Sequence, residues 1–114
     1  MTDRLTSSDL VLVRQKDSLL NSINQAEVLL HCTDKSSLFT SGVIAMDSAM
    51  SQLELVRELW LNEDYGYKVA ELSQRMLLVI EEVAEHCPES HQAKHIELTR
   101  LAIRARQLKP VLFS

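Results

Sequence analysis

Apolar residues recur at spacings of three and four along four stretches of this chain, with polar residues between them. That is the pattern of amphipathic α-helices. The first stretch covers about residues 8–31, with Leu12, Lys16, Leu19, Ile23, Ala26 and Leu30 as a seam holding one polar member. Ser7 or Ser8 suits its N-cap, and Thr33 to Ser37 reads as a turn. The second, 38–62, carries Met46, Met50, Leu53, Val56 and Trp60, with Ala45 and Ala49 alongside. Asn62 to Gly66 is the next turn. The third, 67–86, carries Leu72, Met76, Val79 and Val83, and Cys87 continues the stripe. Pro88 closes it and suits the first position of a fourth helix, 89–108, which runs through Leu98, Leu101, Ala105 and Leu108. Pro110 stops that helix, and Val111 to Ser114 form an apolar tail.

Helices of roughly 20–24 residues, each about 30–36 Å long, joined by short turns predict an all-α, up-down-up-down four-helix bundle in one domain, 1–114. Gly42 offers the main alternative, a bundle whose second helix is broken. Two glycines and two prolines in 114 residues leave too few breakers for a strand-rich fold.

Three runs are apolar beyond one stripe: Leu10-Val11-Leu12-Val13, Met76 to Ile80, and Val56 with Leu59, Trp60 and Leu61. A stripe of about 100° satisfies a simple bundle. The surplus goes either into a tightly wrapped core or onto an interaction face, and Leu10, Val11, Val13, Leu61, Leu77 and Ile80 are the candidates for such a face.

The net charge of −4 argues against bulk electrostatic binding to nucleic acid. The charge is uneven. Residues 54–89 hold nine acids and three bases, whereas 94–109 hold Lys94, Arg100, Arg104, Arg106 and Lys109 against Glu97. Solvated helix faces account for this, with cations near a helix C-terminus where the dipole favours them; an acidic partner for the basic helix is the other reading. No signal-type apolar core follows Met1-Thr2-Asp3-Arg4, and the longest apolar run is the five residues from Met76 to Ile80. The expectation is a cytoplasmic protein with reduced thiols and no membrane span.

All the histidines and cysteines fall in two windows: His31-Cys32, and His86-Cys87 with His91 and His95. An up-down bundle brings the ends of helices one and three and the start of helix four to one pole. A zinc-like site there is chemically sensible. Against it, helices one and three are usually diagonal in such a bundle, and the spacings match no familiar zinc pattern. The six residues then read as dipole-favoured helix-end histidines and small buried thiols. Glu-x-x-His, required by di-iron bundles, is absent from the sequence. Glu27/His31 and Glu82/His86 stand four apart and read as helix-surface pairs. His91-Gln92-Ala93-Lys94 resembles the histidine-phosphotransfer motif but has His95 where that motif has glycine. No catalytic constellation, metal or cofactor is therefore expected.

Glu27 to Asp34 aligns with Glu82 to Glu89 at an offset of 55, sharing Glu-Val and His-Cys. A duplicated helical hairpin or a coincidence between helix ends would each produce this. Residues 34–55 resemble the small bacterial YfcL-like family: a polar turn, Leu38-Phe39-Thr40-Ser41-Gly42, then a helix with Leu53-Glu54 near its end. The resemblance implies a helical bacterial cytoplasmic protein and adds no mechanism. From the residues themselves, Leu38 and Phe39 pack the turn onto the core while Ser41 caps the second helix. The functional expectation is a non-enzymatic bundle that binds a second copy of itself or another protein, with a metal-binding or phosphotransfer module at the His/Cys pole as the alternative.

Overall fold

The computed structural model describes residues 7–62 and 64–109, with side chains from residue 11 onward. Four helices follow one another: α1 (Ser7–Leu30), α2 (Ser36–Asn62), α3 (Gly66–His86) and α4 (Gln92–Leu108). The all-α bundle predicted by periodicity is the fold. The caps at Ser7 or Ser8, the surface role of Leu10 and the tail from Pro110 lie outside the described side chains.

The predicted seams form the core, apart from Val56 of α2, which is half-buried and packs against it. Leu12, Leu19, Ile23, Ala26 and Leu30 of α1 are buried, as are Met46, Met50, Leu53 and Trp60 of α2. Leu72, Met76, Val79 and Val83 of α3, the adjoining Cys87, and Leu98, Leu101, Ala105 and Leu108 of α4 complete it. Lys16, the polar member, keeps its ammonium at the edge beside Asp17.

Two boundaries differ from expectation. Gly42 neither starts nor breaks α2, and Ser41 does not cap it; the Ser41 hydroxyl donates to the Ser37 carbonyl one turn back, inside the helix. Pro88 does not open α4 either. Pro88, Glu89 and Ser90 form a turn that the His91 amide closes onto the Pro88 carbonyl, so the helix begins at Gln92. His95 holds that turn, its Nε2 donating to the carbonyls of Cys87 and Pro88. The end of α2 is a Schellman-type stop: Asp64 takes the left-handed conformation (φ 57°) and the Tyr65 amide donates to the Trp60 carbonyl.

The neighbour relations also depart from the usual square. α1 pairs with α2 and α3 with α4, as antiparallel hairpins. The hairpins then stack so that α1 lies beside α3, α2 lies beside α4, and α2 crosses to α3. Among the described residues α1 and α4 do not touch. The stacked pairs run parallel: Asn24 meets Arg75 and His31 meets Glu82, while Asp47 meets Arg100 and Ser51 meets Arg104. Helices one and three are thus neighbours rather than diagonal.

An ionic seam joins the hairpins on the α2–α4 side. Arg100 holds the Asp47 carboxylate with both terminal nitrogens, at 3.2 and 2.8 Å, and Arg104 reaches the same carboxylate at 2.9 Å. Arg104 also contacts Ser51 and Glu54, and the Arg57 guanidinium caps α4 at the Leu108 carbonyl. The basic character of α4 is therefore not simply a solvated face. Arg100 and Arg104 tie it to α2, Arg106 reaches Glu81, and Lys94 donates to the Thr33 carbonyl.

Candidate functional site

Beyond the core and the ionic seam, two features bear on function: an apolar trough along α1–α2, and the polar pole where the histidines gather. They occupy opposite halves of the bundle. Along α1 and its end the trough involves residues 14–19 and the pole residues 27–32, roughly 20 Å apart along the axis.

The trough is a cavity of about 330 Å³ between the two helices of the first hairpin, lined by Arg14, Gln15, Ser18, Leu19, Gln52, Leu55 and Val56. Its floor is Leu19 and the half-buried Val56. Gln15 is fixed there because its carbonyl accepts a hydrogen bond from the buried Trp60 indole at 2.9 Å. Leu55 stands out from the rim, 83 % exposed. One turn further along, Leu59 and Val11 are also exposed. Leu55 lies outside the predicted stripe; its signal in the sequence is the i, i+4 pair it makes with Leu59 away from the buried face of α2.

The predicted interaction residues divide. Val11 and Val13 are exposed, and Leu61 and Leu77 are half-buried. Ile80 is a core residue, 1 % exposed, and cannot face a partner. The reason is positional: α3 touches all three other helices, so the apolar run from Met76 to Ile80 is covered on several sides and only Leu78 is left outside.

At the pole the helix ends come together as expected, but the side chains take separate roles. His31, just past α1, has its Nε2 4.0 Å from a Glu82 oxygen on α3. Glu27, one turn before His31, completes a group whose three donor atoms all lie within 4.8 Å of one another. Arg75 borders the group, 3.5 Å from Glu27 and 2.8 Å from Asn24. His86 donates its Nδ1 proton to the Glu82 carbonyl at 2.9 Å. The Cys32 thiol donates to the Val28 carbonyl, and Cys87 is buried; both are free. His91 flanks α4 as its N-cap residue, with Nδ1 buried and unpartnered, and Lys94 is turned onto Thr33 and the Phe39 ring. His91 therefore stands at the N-terminus of α4 and is half-buried.

The aligned segments around His31 and His86 do end neighbouring parallel helices. The contacts between those helices, however, run at sequence separations of 48 and 51, as Glu27–Arg75 and His31–Glu82 show, so the aligned segments sit one to two turns out of register. No helix among the described residues is long and apolar enough to cross a membrane. Compared with family models, curated proteins and solved structures, the chain matches none.

Proposed function

We propose that this chain acts by protein–protein interaction, as a homodimer formed through the α1–α2 trough. The observation that carries this reading is that one patch holds both a depression and the knob to fill it. Leu55 projects from the rim of a trough floored by Leu19 and Val56. A two-fold axis through such a patch places each Leu55 in the partner's trough, which is the self-complementarity an isologous interface requires. Leu59 and Val11 extend the apolar area. Arg14 and Gln52 supply a polar rim, as interfaces have. The resemblance of residues 34–55 to the YfcL-like family belongs to the same proposal and gives it a bacterial, cytoplasmic setting.

The test is light scattering with sedimentation across a concentration series. The chain is expected to run as a dimer and Leu55→Glu as a folded monomer. A wild-type chain that stays monomeric throughout overturns the proposal.

A further inference from the structure

We infer that Glu27, His31 and Glu82 form a binding site for one divalent first-row transition ion, with zinc as its representative. One imidazole nitrogen and two carboxylate oxygens are donors such ions accept. The stacking of α1 on α3 brings them together; the helical period alone did not. Glu27 lies in the last turn of α1 and His31 just beyond the helix, four residues on, and Glu82 of α3 stands opposite.

The geometry is close to what an ion needs. Donors about 2.0–2.2 Å from a common centre lie roughly 3–3.5 Å apart. Here all three lie within 4.8 Å of one another. His31 and Glu82 are exposed and Glu27 is half-buried, so rotamer adjustments of about 1 Å close the group without moving the helices. His86, one turn beyond Glu82, stays outside this group, its Nδ1 donating to the Glu82 backbone carbonyl.

Arg75 supplies the countercharge to this group. Its guanidinium lies 3.5 Å from Glu27 and competes with any cation there. Asn24, which accepts from the same guanidinium at 2.8 Å, gives Arg75 a second anchor when an ion takes Glu27. An ion bound here joins the end of α1 to α3, and so joins the two hairpins. The inference is independent of the dimer, because the trough occupies the other half of the molecule.

The test uses full-length chain purified without an affinity tag, stripped with chelator, then titrated with zinc by calorimetry and with cobalt by absorption. One ion per chain is expected, with a rise in melting temperature on loading. His31→Gln and Glu82→Gln should each weaken binding about tenfold or more while keeping the helical spectrum. Arg75→Gln should tighten it. Cys32→Ser and His91→Gln should leave it unchanged, and cobalt should show no thiolate charge-transfer band. The inference is overturned by absence of saturable one-to-one binding, by full binding in His31→Gln or Glu82→Gln, or by loss of binding in Cys32→Ser. It is equally overturned if Arg75→Gln binds no more tightly than the wild type.

Discussion

Gly42 of α2 lies directly against the backbone of Leu30 at the end of α1: a Cβ on Gly42 would stand 2.7 Å from the Leu30 nitrogen and 3.0 Å from the Leu29 carbonyl carbon. The missing side chain sets how closely the first hairpin closes. In an open helix, replacing Gly with Ala stabilises by about 1 kcal/mol. Here the neighbours are backbone atoms that cannot rotate away, and overpacking costs about 1–3 kcal/mol. Gly42→Ala is therefore expected to destabilise by about 1–2 kcal/mol in urea unfolding, while Thr40→Ala, exposed on the same helix, stabilises slightly. Equal stabilisation by both would show that the hairpin opens without penalty.

Asp47 carries the pH dependence of the ionic seam. The Arg100 hydrogen bonds, and after them Arg104, hold its carboxyl below the ordinary carboxylate range, against partial burial, which pushes it up. A lowered native value means that the unfolded chain takes up the proton first. The stabilisation is complete above the unfolded value of about 3.9 and is lost as pH falls through the native value. Arg100 is nearly half exposed, so the contribution is discounted to about 1 kcal/mol. Melting curves of Asp47→Asn should fall below the wild type by that amount near pH 7 and converge with it in acid. A constant gap down to pH 2 would place the pH dependence elsewhere.

The seams were legible because a buried helix face must repeat near every 3.6 residues. Leu19, Ile23, Met50, Met76 and Leu101 could be named from spacing alone. Helical period says which face is covered and is silent on which helix covers it. That is why α1 and α3 were expected on a diagonal, and why Glu27, His31 and Glu82 looked like isolated surface pairs. The same silence hid the role of α4: Arg100 and Arg104 read as exposed cations because nothing around the lone Asp47 marks it as their shared acceptor. Gly42 shows a third limit. A helix breaker and a close-packing glycine have the same letter, and only the position of Leu30 distinguishes them.

Asp64 bears the left-handed conformation that ends α2, and the Tyr65 ring then meets the Trp60 ring edge-on at 5.2 Å. Left-handed backbone costs an L-residue about 1–2 kcal/mol, less for Asp and nothing for Gly. Asp64→Gly is therefore expected to stabilise by about 0.5 kcal/mol, and Asp64→Val to destabilise by more than about 1 kcal/mol. Denaturant unfolding followed by Trp60 emission reports both, since Trp60 is buried and is the only tryptophan. A stabilising valine would rule out the turn as the reason Asp stands there.

Leu55 separates association from folding. At 83 % exposure it contributes almost nothing to the protomer's core, so Leu55→Glu should leave protomer stability within about 0.5 kcal/mol. In a dimer each Leu55 buries a full aliphatic side chain, worth about 1.5–3 kcal/mol, and a glutamate there must be desolvated against an apolar floor. Mass action makes the melting temperature of a self-associating chain rise with concentration. The wild type is expected to show that rise, and Leu55→Glu to show none while matching the wild type at the lowest concentration. Leu78→Glu, on the opposite hairpin and also exposed (55 %), should retain the wild-type concentration dependence. If Leu78→Glu abolishes it and Leu55→Glu does not, the interface lies on α3 and the trough is left without this role.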